Sequence, residues 1–134
     1  MKWIALILLA GVIIVSGCVS PAASLGEPFT LGIGDEKTVE GAGISVMFIG
    51  VTEDSRCPSD VVCIWEGQAS TEFRVKKGSD VSGMNLTISG SGGGMLNAKN
   101  FEGYTITLTK VDPYPDSGGI EKKDYVVTLV VTKV

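Results

Sequence analysis

The 134-residue chain contains no histidine. That absence removes the Ser-His-Asp and Cys-His nucleophile systems and every metal site that needs an imidazole. Basic residues are also few, 11 Lys and Arg against 15 Asp and Glu, for a formal charge of −4. A nucleic-acid surface needs a basic face to meet phosphates, so the charge balance argues against nucleic acid as a partner. No apolar run is long enough to cross a bilayer. Residues 3–15 would reach roughly 20 Å as a helix, against a hydrocarbon core of ~30 Å. The positive mean hydropathy of +0.31 therefore owes much to one short segment. The length suits one domain of ordinary size.

The N-terminal segment has the layout of a secretory signal peptide: Lys2, an apolar run, then small residues. Val15-Ser16-Gly17-Cys18 resembles the lipobox of prokaryotic lipoproteins, an aliphatic and two small residues before a cysteine. The resemblance implies a signal peptide over residues 1–17, cleavage before Cys18 and lipid on the Cys18 thiol. The competing reading is an uncleaved signal anchor. One acyl chain holds a membrane only marginally, so stable anchoring calls for the two chains of a diacylglyceryl group. Either way the remainder is expected on the extracytoplasmic face of the cell membrane or envelope, with the membrane as a partner through Cys18. Residues 18–28 read as a lipidated N-terminus and flexible tether, up to ~35 Å long when extended. Residues 29–134 read as a single domain. Loss of Lys2 would take the formal charge from −4 to −5, which further disfavours anionic lipid surfaces.

Within 29–134 the pattern is that of strands and turns, with no helical repeat. Ala69, Thr71, Phe73 and Val75 alternate with Ser70, Glu72, Arg74 and Lys76, a period of two with one face to bury. Met84, Leu86 and Ile88 form a second such series, and Tyr104, Ile106 and Leu108 a third. Stretches 44–51 and 125–131 are apolar on both faces and suit central strands. Stretches 29–33 and 37–40 are shorter. Turn residues punctuate the series at 34–35, 41–43, 78–80, 90–94, 102–103 and 117–119. The expectation is an all-β fold, a small antiparallel β-sandwich or small barrel of about six to eight strands. The glycine-rich run 90–94 reads as a hairpin tip, since it lacks the Gly-Lys-Ser/Thr ending of a phosphate loop.

Cys57 and Cys63 remain once Cys18 is assigned to lipid. They form an even pair in an oxidising compartment, spaced closely enough for a local disulfide across a turn. A redox-active pair and free thiols are the competing readings, but the spacing is not C-x-x-C and only Arg56 lies nearby to lower a thiol pKa. The surrounding run, from Asp54-Ser55-Arg56-Cys57-Pro58 through Val61 and Cys63 to Trp65, Gly67 and Ala69, resembles a D-S-R-C-P-x-x-V-x-C-x-W-x-G-x-A signature. That signature marks a family of small exported prokaryotic proteins, bacterial and archaeal, many of them predicted lipoproteins. The resemblance extends more weakly over residues 29–134 and implies no activity or catalytic residue.

Two readings of this loop coexist. As a clasp, Pro58 stiffens the turn, Trp65 lays its ring against the bridge or a sheet edge, and Asp54 and Arg56 pair or cap loop amides. As a recognition surface, Asp54, Arg56, Trp65 and Glu66 are presented to a partner. Elsewhere, Asn85-Leu86-Thr87 is an N-glycosylation sequon on the polar face of its strand, making Asn85 a candidate acceptor. Asp112, Asp116 and Glu121 match no calcium loop and read as solvated, and Tyr114 between two prolines reads as folded onto the core.

No cofactor, metal site or catalytic residue is indicated, and no carboxylate pair is marked by a motif. The sequence thus points to a non-enzymatic, lipid-anchored envelope protein with a binding or structural role. Its alternative is a surface inhibitor or ligand-binding module that presents residues 54–66 to an envelope or secreted protein such as a protease. A small hydrolase using two carboxylates is a distant alternative.

Overall fold

A computed structural model describes residues 22–94 and 96–134; Cys18 and the signal-peptide segment lie outside the described residues. Among the described residues, nine strands form two sheets. They are β1 (Ala23–Ser24), β2 (Phe29–Gly32), β3 (Glu36–Glu40), β4 (Ile44–Asp54), β5 (Gln68–Lys77), β6 (Asp80–Ser89), β7 (Ala98–Phe101), β8 (Tyr104–Asp112) and β9 (Val126–Lys133). One sheet runs β1-β3-β4-β5-β6 and the other β2-β9-β8-β7. The pairs are antiparallel except β1 with β3. A 3-10 turn, Lys122–Asp124, precedes β9.

The alternation in sequence explains the sandwich. In β5 the inward positions Ala69, Thr71, Phe73 and Val75 are buried, while Glu72 and Arg74 are exposed. Leu86 and Ile88 of β6, Ile106 and Leu108 of β8, and Val127, Leu129 and Val131 of β9 meet them in one core. Phe48 and Phe73 stack with ring centroids 5.4 Å apart. Burying a side chain of this size stabilises by about 1.5–3 kcal/mol, and the non-directional gain is shared across both sheets. Thr71, polar but fully buried, gives its hydroxyl to the Leu86 carbonyl at 2.8 Å, so it leaves no orphaned donor.

The strands at 44–51 and 125–131 do lie inside their sheets, β4 between β3 and β5 and β9 between β2 and β8. Their second faces are only partly covered. Ile49 and Val126 are exposed, and β4 shifts register twice, between Phe48 and Gly50 and between Val51 and Glu53. Such bulges turn the strand and rotate its outer apolar residues toward solvent.

Two sequence expectations are corrected here. The fold begins before residue 29: Ala23 is 5% exposed, β1 pairs with Val39 and Glu40, and Gly26 donates to the Val131 carbonyl at 2.8 Å. Residues 23–28 are therefore part of the sandwich, not of a tether. The strand number is nine because β1 and β7 are too short to show alternation. The run 90–94 does turn the chain back along the end of β6: Gly92 donates to the Ser89 carbonyl and Ser89 to that of Gly93, both at 2.9 Å. Thr87 donates to the Leu96 carbonyl before the chain crosses to the other sheet, where Leu108 donates to the Asn97 carbonyl.

Candidate binding surface

The β4–β5 pairing continues past Asp54 and Ala69 into the loop between them. Ser55 donates its N–H to the Gln68 carbonyl at 2.8 Å, and Cys57 donates to that of Glu66 at 2.9 Å. The Ser55 hydroxyl also donates to Gln68 O at 3.1 Å. Gly67 makes this closure possible. It sits at φ +67°, and a Cβ there would lie 1.9 Å from the Ser55 carbonyl oxygen. Beneath it, Gly90 at the end of β6 donates to the Gly67 carbonyl, and a Cβ on Gly90 would lie 2.2 Å from Glu66 O. Cys57 and Cys63 are joined by a disulfide with Cα atoms 5.9 Å apart.

The loop is fastened on one side by Arg56, whose partners come from far along the chain. Its guanidinium donates through Nε and Nη2 to the two Asp54 carboxylate oxygens at 2.9 and 2.8 Å, a bidentate pair. Nη1 donates to the Val111 carbonyl at 2.7 Å and Nη2 to that of Pro113 at 3.1 Å. The guanidinium carbon lies 5.1 Å from the centre of the Tyr114 ring. The Tyr125 hydroxyl donates to Asp54 Oδ2 at 2.9 Å. Burial pushes the Asp54 carboxyl up, but the hydrogen bonds from Arg56 and Tyr125 and the Arg56 charge outweigh it and hold Asp54 below its ordinary value. The Tyr125 phenol is pushed up to about 12, first by burial and then by its bond to the charged carboxylate.

The connection between β8 and β9 supports the loop further. Tyr114 donates its hydroxyl to the Cys57 carbonyl at 2.8 Å, and Ser59 donates to that of Pro115 at 3.0 Å. Ser117 donates to Asp60 through both its N–H, at 2.9 Å, and its hydroxyl. Those bonds hold the exposed Asp60 carboxyl below its ordinary value.

What remains outward is apolar. Val62 and Ile64 are fully exposed, at 101% and 99%, Trp65 is 81% exposed, and Val61 is half-exposed. The sequence expectation of a four-residue recognition surface therefore divides. Trp65 and Glu66 are presented, whereas Arg56 is buried and Asp54 is largely covered. Trp65 does not lie against the bridge or a sheet edge as the clasp reading had it; the tight Gly67 closure turns the preceding residues outward. Tyr114 is folded onto Arg56 and Cys57 rather than the core, and is 44% exposed. Val61, Val62 and Ile64 escaped sequence reasoning. The signal for them was a five-residue run, Val-Val-Cys-Ile-Trp, that begins inside the short Cys57–Cys63 ring and ends just past it, too tightly held to turn every side chain inward.

Asn85 is exposed on the outer face of β6. Among the described residues, no group of three or more Cys, Asp or Glu side chains is placed to hold a metal ion, and no helix is long and apolar enough to cross a membrane. Comparison of the chain with protein-family models, with curated proteins and with solved structures returns no match.

Proposed function

We propose that this chain is a lipid-anchored, extracytoplasmic binding module that acts without catalysis and presents the tip of its disulfide loop to an envelope or secreted protein, a protease being one such partner. The observation that carries the reading is the exposure of Val62, Ile64 and Trp65 on a loop whose base is fixed by a disulfide, a bidentate ion pair and the β8–β9 connection. Apolar side chains held out on an ordered loop lose little conformational freedom on binding, which favours affinity per unit of area.

The ends of the domain support the same arrangement. Ala23 pairs with Val39 at the Ile44 end of β4, whereas the loop leaves β4 at Asp54. On β5 those ends correspond to Lys77 and Ala69, roughly 26 Å apart at ~3.3 Å per residue. The stretch from Cys18 to residue 22 reaches at most about 14 Å. Lipid on Cys18 would hold the domain by the end opposite its exposed tip.

Two measurements test the proposal. Intact mass of the membrane fraction should show loss of residues 1–17 and a diacylglyceryl increment, both absent in Cys18→Ser, which should keep residues 1–17. A photoreactive side chain at position 64 should crosslink in cells to a discrete protein, and one at position 37, at the far end of the sheet, should not. Equal crosslinking from both positions, or none from position 64, overturns the reading.

A further inference from the structure

Beside the tip, on the outer face of the five-stranded sheet, lies an open cleft of about 500 Å³. Its size falls within the ordinary range for small-ligand sites. Its floor is polar: Gln68 starts β5, and Thr87 and Ser89 lie on the outward positions of β6, with Gln68 directly opposite Ser89. Thr87 is held to the neighbouring strand by a 3.0 Å hydroxyl contact with Ser70. Trp65 and Leu96 supply the large apolar side chains of its lining. Leu96 is positioned by the hydrogen bond from Thr87 N–H to its carbonyl. Among the described residues that line it, Glu66 is the one charged residue, and none is a lysine or arginine.

We infer that this cleft binds a neutral glycan, a hexose or N-acetylhexosamine oligomer whose ring stacks on Trp65 while its hydroxyls meet Gln68, Thr87 and Ser89. The chemistry matches term by term. A pyranose carries an apolar C–H face and a hydroxyl rim, and the cleft sets a flat exposed indole beside an amide and two hydroxyls. An apolar peptide side chain would cover the Gln68 amide without pairing it, whereas a glycan hydroxyl can pair with that amide and extend the bonds that Thr87 and Ser89 already make to Ser70 and Gly92. An anionic sugar would face the Glu66 carboxylate with no cation in the lining to receive it. The openness of the cleft suits a chain passing across it, held at one sugar.

The inference goes beyond the proposed protein contact and shares only Trp65 with it. The test is calorimetric titration of the full chain with four neutral probes, cellohexaose, maltohexaose, mannohexaose and chitohexaose, and with oligogalacturonate as the anionic one. At least one neutral probe should bind, and the anionic probe should not. Trp65→Ala should weaken that binding by about tenfold, the worth of an aromatic stacking contact, with partial recovery in Trp65→Phe. Gln68→Ala should weaken it as well. Val62→Asp, at the exposed tip and outside the cleft lining, should leave it unchanged while removing the protein crosslink from the photoreactive side chain at position 64, so that failure of one proposal is distinct from failure of the other. Thermal melts matching the parent chain show that the variants fold. Absence of binding by all four neutral probes, equal binding of oligogalacturonate, or affinity indifferent to both Trp65→Ala and Gln68→Ala overturns the inference.

Discussion

Arg56 and Trp65 occupy the same loop and have opposite physical roles. Arg56 is enclosed, and its guanidinium serves one carboxylate and two carbonyls at once. Removing it leaves the Asp54 charge and those carbonyls without their partner, a situation that costs about 3–5 kcal/mol. Arg56→Ala is therefore expected to lower the urea-unfolding free energy by that amount. Trp65→Ala should change it by no more than about 0.5 kcal/mol, as for an exposed side chain. Equal effects of the two substitutions would contradict this division. The same cluster sets the pH response. Asp54 is held below its ordinary value, so its contribution is present above the unfolded carboxylate pKa of ~3.9 and is lost as pH falls through its lower folded value. Tyr125 is raised to about 12, so its contribution is complete below the unfolded pKa of ~10 and is lost as pH rises toward 12. Urea midpoints between pH 9 and 12 should fall more steeply in the parent chain than in Tyr125→Phe, where that phenol no longer titrates.

At the scale of elements, the loop depends on backbone approach as much as on side chains. Gly67 and Gly78 both have positive φ, +67° and +60°. They differ in surroundings: a Cβ on Gly78 meets open space, and one on Gly67 meets the Ser55 carbonyl. Gly78→Ala should thus cost about 1 kcal/mol of backbone strain. Gly67→Ala should cost clearly more and also disturb the Ser55 and Cys57 bonds, read as faster amide exchange at those two positions. Equal costs, with unchanged exchange, would remove the close-approach argument. The disulfide closes a short ring and constrains the unfolded chain only modestly, by ~2 kcal/mol on loop-closure entropy. Its greater effect is local, fixing how Val62 and Ile64 are displayed.

For the whole molecule, what could be read from sequence follows from how local each signal is. The alternation in β5 is carried by adjacent residues, so an antiparallel all-β sandwich was legible, as was the pairing of Cys57 with Cys63 across a short turn. β7 was not, because Ala98–Phe101 shows no alternating burial; its pairing with β8 and the two-residue Glu102-Gly103 turn define it. β1 was hidden because two residues carry no period, and its parallel pairing with β3 has no sequence mark. The Asp54–Arg56 pair was visible as a pair, but its burial was not. Its other partners, Val111, Pro113 and Tyr125, lie more than fifty residues away. The exposed valines and isoleucine contradicted the usual inward direction of such side chains, and only the tertiary fixing of the loop reveals their outward display.

The long span between Arg56 and its acceptors also gives the loop a timetable. As the chain emerges N-terminus first, Cys57 and Cys63 can meet as soon as both are present. Arg56, however, has neither of its carbonyl acceptors until Val111 and Pro113 have followed, and Asp54 waits longer still for Tyr125. A chain cut short before Val111 would carry a closed ring on an unseated base, with a charged pair lacking its enclosure. The ordered tip thus belongs to chains that have reached Tyr125, and a partner that engaged it would in effect distinguish those from shorter ones.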